Sequence, residues 1–472
     1  MKTSSFAATS AIASPQTHFI MAPESQKPVI VAASYPLPGH SDGPIQVAGH
    51  LARSGYKVYY VSNQDFKQKI EGAGCIFVEA PWKITLDDLP ERNDIPPNMR
   101  MMWDLKHIFA DSIPTHFQAL KDTLERVHDE NPGRKIIIFQ ELTHCGILPF
   151  VYGAPLPRGF DKLPPTITMT TTNNIYPDEG VPPFGLNVPY DPTPENLAMW
   201  RTVRKSLEPV NADLAGYFNK LIKSVGATRD MTEAVWSVAP TVGDVTLFPT
   251  TTSTDYPRSS PQKRFRYIGG LPLKPLDASY VYPEWWPLIT ANAALPESQR
   301  KKVVFVTQGT LSPIFTELLV PAIRALADRE DLIVIVTLGA RGATLDPAEL
   351  GIPIPANTRV IDYLPYDALL PYTDVFFTNA GYNSFMHGIM NGVPMLVAGK
   401  DADKPEVAFR AEYCGVAVNL RTGDPTEAQI REGVDKVLGE PKYKQRALEL
   451  QKENVEMDSL RQVELVIEEL AA

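Results

Sequence analysis

Cysteine is scarce: Cys75, Cys145 and Cys414 are the three in 472 residues, far apart and with no C-x-x-C pair. That excludes a disulfide framework and a thiolate zinc site, and it fits a reducing compartment, so a cytoplasmic location is expected. Long hydrophobic runs are missing too, with nothing near the ~18–20 apolar residues of a membrane span. Residues 1–27 are rich in Ser, Ala and Thr but lack the apolar block of a signal peptide, and are expected to form a flexible tail. Basic residues do not prevail: 45 Lys and Arg against 55 Asp and Glu leave a net charge of −10. This argues against nucleic acid or an anionic membrane as principal partner, although backbone amides can still bind a phosphate locally. A G-x-G-x-x-G fingerprint is absent after Ser34, which disfavours a nicotinamide oxidoreductase; YPLPGHSDG stands there, expected to be a loop leading into an amphipathic stretch from Pro44 to Ser54.

A hydrophobic content of 44% with 21% charged residues is that of a folded chain, and the length suggests two to three domains. Proline, at 44 residues, is about double its usual ~5% share and favours long, shaped loops. The apolar runs Val29–Ser34, Lys57–Ser62, Cys75–Glu79 and Lys135–Phe139 alternate with helical patterns, the signature of βαβ units and a parallel sheet. Residues 240–300, rich in Pro, Thr and Ser, read as a domain boundary. A second series follows at Val303–Gly309, Leu332–Gly339, Thr358–Leu364, Asp374–Ala380 and Pro394–Gly399. The expected architecture is α/β, with two doubly wound units facing a cleft at the C-terminal ends of their strands. Within the first unit, Met99, Met101, Met102 and Trp103 are candidates for the wall of an acceptor pocket, since Met and aromatic side chains suit varied apolar ligands.

The stretch DVFFTNAGYNSFMHGIMNGVP carries the clearest chemistry. A strand ends at Thr378, a Gly-containing turn follows, and helical periodicity starts near Asn383, which aims free amides and a positive helix end at one point. Asn383 and Ser384 can cap that helix and donate to phosphate oxygens. Gly309-Thr310 after another strand, and AGKDADKPE after a third, add turns of the same kind.

The segment Tyr363–Lys404 resembles the donor-binding signature of the GT-B fold UDP-glycosyltransferases, including macrolide-type and secondary-metabolite enzymes. That signature runs aromatic-x-Pro-Gln, His-x-Gly-x-Asn-Ser, Glu, Gly-Val-Pro, Asp-Gln. Tyr363, Pro365, Gly381, Asn383, Ser384, Gly392, Val393, Pro394 and Asp403 match it. Asn379 stands for the phosphate-binding His, Tyr366 for the Gln, His387 for the ribose-binding Glu and Lys404 for the final Gln. The resemblance implies a donor site built from Gly309, Thr310, Tyr363, Leu364, Tyr366, Asn379, Gly381, Asn383, Ser384, His387, Asp403 and Lys404. It implies two Rossmann-like domains, an acceptor domain at 28–275 and a donor domain at 301–440, joined by a linker at 276–300, with C-terminal helices over 441–472 that can pack back on the first domain. The implied reaction is inverting transfer of a sugar, glucose, from a UDP-sugar co-substrate to a hydroxyl of a small hydrophobic acceptor such as a phenolic secondary metabolite. It needs no metal and no further cofactor, and the chain is expected to act as a monomer or weak homo-oligomer.

In that family, Gly-His after the first strand supplies the base, and Gly39-His40 stands there; His suits proton abstraction near neutral pH. The usual partner is an Asp ending a later strand. By spacing, Gln140 falls on that position and Glu141 beside it; neighbours on a strand face opposite ways, and Glu141 is the favoured candidate, with Asp42 in reserve. Two alternatives stay open: a metal site at Asp401-Ala402-Asp403, and a non-catalytic nucleotide-sugar binder.

Overall fold

The computed structural model describes residues 27–82, 92, 94–274, 276, 280–309 and 314–472. Its central strands are short runs buried on both faces, as parallel strands covered by helices must be, while the edge strands are only partly covered. Seven form the first sheet: β1 Val29–Ala33, β2 Lys57–Ser62, β3 Ile76–Glu79, β4 Ile136–Glu141, β5 Thr166–Met169, β6 Val245–Phe248 and β7 Phe265–Tyr267, in the order β3-β2-β1-β4-β5-β6-β7. Six form the second: β8 Lys302–Thr307, β9 Leu332–Thr337, β10 Thr358–Ile361, β11 Val375–Thr378, β12 Met395–Val397 and β13 Ala417–Asn419, in the order β10-β9-β8-β11-β12-β13. Every pairing is parallel.

In each sheet the strand order reverses beside its first strand, between β1 and β4 and between β8 and β11. A ligand crevice opens at such a switch point, because the connections on either side depart to opposite faces. The β1–β4 register pairs Ala33 with Gln140, so Glu141 lies one residue beyond β1, where the chain turns into the crevice.

Seven helices matter here: α1 Pro38–Arg53, α2 Ile113–Glu130, α3 Glu208–Ser224, α4 Tyr382–Met390, α5 Lys404–Tyr413, α6 Lys442–Glu456 and α7 Ser459–Ala471. Helix α1 corrects one expectation. Most of YPLPGHSDG is helical: Pro38, which lacks an amide hydrogen and has a helical φ, opens the helix, and the His40 amide already donates to Leu37 O. Helix α4 begins at Tyr382 with Gly381 as its N-cap, so Asn383 and Ser384 lie inside its first turn and do not cap it.

The stretch 276–300 carries a helix, Trp286–Ala294, whose Ile289 is buried in the core of the second unit with Phe305, Phe376 and Leu369. At the C-terminus, α6 holds the second unit through Lys444 Nζ to Gly392 O (2.7 Å) and Gln451 Nε2 to Met390 O (2.9 Å). Helix α7 crosses to the first unit, where Val463, Val466 and Ile467 pack with Ile30, Ile45 and Leu51. No helix among the described residues is long and apolar enough to cross a membrane.

Candidate active site

At the first switch point, α1 sets His40 in its opening turn and β4 ends on Glu141. Their side chains meet with His40 Nδ1 3.0 Å from Glu141 Oε1. The Glu141 side chain is wholly buried, while a quarter of the His40 side chain is exposed. Burial would discharge both groups. It lowers the His40 pKa, but the Glu141 charge, the bond between them and the charge of Asp403 outweigh it, and the net shift is upward. Burial likewise raises the Glu141 pKa, yet His40 and hydroxyl bonds from Thr143 and Thr171 bring it below its ordinary value. With Nδ1 turned to the carboxylate, Nε2 is the nitrogen left for a ligand. Phe109 and Tyr35 meet the imidazole edge-on, with ring centroids at 5.5 and 6.2 Å.

At the second switch point the turns after β8 and β11 converge, with the turn after β12 beside them. After β8, Gly309 takes a φ of 75°, in the left-handed region where glycine is at ease. After β11, Ala380 is forced to a φ of 61°, and after β12 Ala402 to 55°, both outside the region alanine prefers. Strain held at both turns beside the crevice is the kind a ligand site retains. The Asn379 amide donates to Gln308 O, tying the β8 and β11 turns together. From the turn after β12, Asp403 accepts from Thr172 Oγ1 of the first unit, and Asn383 Nδ2 donates to Gly39 O beside His40 at 3.2 Å.

Between the two sets of turns lies a cavity of about 360 Å³. Gly309, Asn379, Gly381, Asn383, Ser384, Asp403 and Lys404 line it from the second unit, His40 and Thr143 from the first. Thr171, Thr172 and Gln308 also line it, and most of the remaining wall is apolar, including Met101, Leu105, Phe109, Phe184, Phe218 and Trp236. Leu105 and Phe109 bound a π-helical turn between Pro97–Asp104 and α2, a local widening often found at functional sites.

Known proteins share this fold. Residues 325–470 match the erythromycin biosynthesis protein CIII-like C-terminal domain. Over 449 residues, 94% of this chain and 95% of the relative, the sequence is 36% identical to UDP-glucosyltransferase 1 of Beauveria bassiana (strain ARSEF 2860). The chain belongs to the GT-B UDP-glycosyltransferases. A second relative, UDP-glucosyltransferase A1 of Starmerella bombicola, is 31% identical over 96% of this chain and 94% of its own length. The solved structure of the kitacinnamycin glycosyltransferase superposes with a TM-score of 0.65, covering 94% of this chain and 99% of that one at 17% identity. This glycosyltransferase therefore moves a sugar from a UDP-sugar.

The transferase does not place every expected residue on the cavity. Met99 is 56% exposed, and Met102 and Trp103 lie off the wall; Met101 and Leu105, four apart on one helical face, take that role. The Leu364 side chain is buried in the core of the second unit, so only its backbone is free to meet a donor. Tyr366 is tied through its hydroxyl to Thr307 Oγ1 at 3.1 Å. Arg341 lies 4.7 Å from the ring centroid of Tyr363. His387 Nδ1 pairs with Asp367 Oδ1 at 2.8 Å, so a histidine–carboxylate pair stands where the family has a lone glutamate. Thr310 lies outside the described residues. Asp42 pairs with Lys69 on the surface, and Gln140 turns to Thr168 at 3.4 Å, so neither meets the imidazole. Among the described residues there is no group of three or more metal-ligating side chains, and Asp403 is engaged by Thr172.

Sequence reasoning passed over Thr143, Thr171 and Thr172. A polar run directly after an apolar strand, MTTT at residues 169–172, was the available signal.

Proposed function

We propose that this glycosyltransferase transfers glucose from UDP-glucose, with inversion and without a metal ion, to a hydroxyl of a small hydrophobic acceptor such as a phenol. The observation that carries this reading is the His40–Glu141 pair: an imidazole held at 3.0 Å by a fully buried carboxylate, facing an apolar cavity opposite the donor turns. His40 Nε2 takes the acceptor proton as the hydroxyl oxygen attacks the anomeric carbon. The bond to the diphosphate breaks with its electron pair on UDP, and one displacement inverts the centre. Glu141 stabilises the imidazolium that forms and keeps its tautomer. The N-terminus of α4 and the Lys404 ammonium meet the charge gathering on the leaving diphosphate. An apolar wall with His40 as its proton acceptor suits a neutral, largely hydrocarbon acceptor better than a charged one.

The test is turnover of UDP-glucose with a phenolic acceptor in excess EDTA, with the anomeric configuration of the product read by NMR. Undiminished activity and a β-linked product are expected. Activity lost to EDTA and restored by manganese would overturn the metal-free reading, and a retained α configuration would overturn the single displacement.

A further inference from the structure

A buried carboxylate has about four acceptor sites to satisfy, and each one left empty is costly. Glu141 has four donors. Oε1 receives His40 Nδ1 at 3.0 Å and the Thr171 hydroxyl at 2.8 Å. Oε2 receives the Thr143 amide at 3.0 Å and the Thr143 hydroxyl at 2.7 Å. The two hydroxyl oxygens also flank the imidazole, at 3.1 Å (Thr143) and 3.4 Å (Thr171) from Nδ1. The sheet register explains the symmetry. Glu141 pairs with Met169 across β4 and β5, and each threonine lies two residues beyond its member of that pair, so the two strand ends close on the carboxylate from either side.

Glutamate has one more torsion than the aspartate expected here, and an unrestrained carboxylate would present either oxygen to the imidazole at several angles. We infer that Thr143 and Thr171 form a hydroxyl clamp that locks Glu141 so that Oε1 alone faces His40, making both threonines positioning residues for proton abstraction. This rests on His40 being the base. Both hydroxyls lie against the carboxylate and Nδ1, the ring nitrogen turned away from the acceptor, and they act by fixing those two groups. The next residue, Thr172, binds Asp403 of the donor unit, so one short segment fixes the dyad and meets the donor turn.

The test compares Thr143→Val, Thr171→Val and the double variant with Thr143→Ser, Thr171→Ser and His40→Ala in the full chain. Each Val variant should lower kcat about 10-fold, the scale of a small misplacement, while the KM values for UDP-sugar and acceptor change less than about 3-fold. A carboxylate stripped of neutral donors leans harder on the imidazolium, so the acid limb of kcat/KM should move up by about 0.5–1 pH unit. Serine keeps the hydroxyl and should restore both kcat and the limb. Should a valine variant fail to fold, the serine variants and Thr→Ala at the same positions carry the test, the alanine falling with valine and the serine standing with wild type. Wild-type kcat and an unmoved limb in valine or alanine variants, beside an inactive His40→Ala, would refute the clamp alone. Full activity in His40→Ala would instead remove the base on which the clamp depends.

Discussion

Lys404 is the first residue of α5, and among the described residues its ammonium has no hydrogen bond or ion pair. A cation at a helix N-terminus opposes the helix dipole and costs about 0.3–1 kcal/mol. A residue that weakens its own helix while lining the donor cavity invites a binding role, and the diphosphate is the charge that would reward it. Asn379, where the family has its histidine, already donates to Gln308 O. Replacing Lys404 with Gln should therefore move two quantities in opposite senses. The ligand-free protein should gain about 0.3–1 kcal/mol, read as a higher denaturant midpoint. Affinity for UDP should fall by about 1.5–3 kcal/mol, the worth of a hydrogen bond to a charged group, or about 12- to 160-fold in Kd by calorimetry. Half-exposure of Lys404 places the loss in the lower part of that range, and it should shrink as salt is raised. Adding Asn379→His should restore part of the affinity, with a coupling above about 0.5 kcal/mol in the double-mutant cycle. An unchanged UDP Kd in Lys404→Gln would refute the reasoning, and a shift confined to the choice among UDP-sugars would reassign Lys404 to a sugar hydroxyl.

His40→Ala should cut turnover by about 10²–10⁴-fold with UDP affinity near wild type, measured by steady-state kinetics and calorimetry. Because the neutral imidazole is the active form and its pKa is raised, kcat/KM should decline on acidification from above the ~6.5 of an ordinary histidine, and Glu141→Gln should move that limb down. Arg410, buried between the units, binds Asp255 Oδ1 at 3.1 Å and Glu406 Oε2 at 2.9 Å; Arg410→Ala should cost about 3–5 kcal/mol in denaturant unfolding, with part regained on adding Glu406→Gln. His144, stacked on His116 at 4.6 Å behind the dyad, is driven by burial down to about 4. The unfolded chain then binds the extra proton first, so stability is intact above pH ~6.5 and falls by about 3 kcal/mol toward pH 4, a loss that His144→Gln should reduce in melts across that range.

Much of the fold was legible because parallel strands are covered on both faces and must be apolar throughout: VIVAA, KVVFVT and LIVIVT announce themselves. The turns after β8 and β11 were legible for a related reason, since small and Gly residues between an apolar strand and a helical pattern mark a tight turn in the sequence itself. Helix α1 was misread at its start because proline and glycine usually punctuate loops, while at the first helical position proline does no harm. Of the stretch Met99–Trp103 only Met101 lines the cavity, because several Met residues and a Trp in one short stretch hide which face is inward until a neighbour covers it.

The sequence by itself determined the class of the molecule, two parallel α/β units, and the Gly-containing turns that follow their strands. Those are local matters of apolar periodicity and turn chemistry, written within about thirty residues at a time. What only the tertiary structure decided is how residues far apart in the chain meet. The pairing of β1 with β4 put Glu141 against His40 across 101 positions and left Gln140 and Asp42 turned elsewhere. The pairing of β4 with β5 brought Thr171 to the same carboxylate, and the approach of the two units laid Thr172 on Asp403. Strand neighbours are chosen by the packing of the whole sheet and not by the residues that end up touching, so the sequence offered Glu141 as one of three candidates and only the fold selected it.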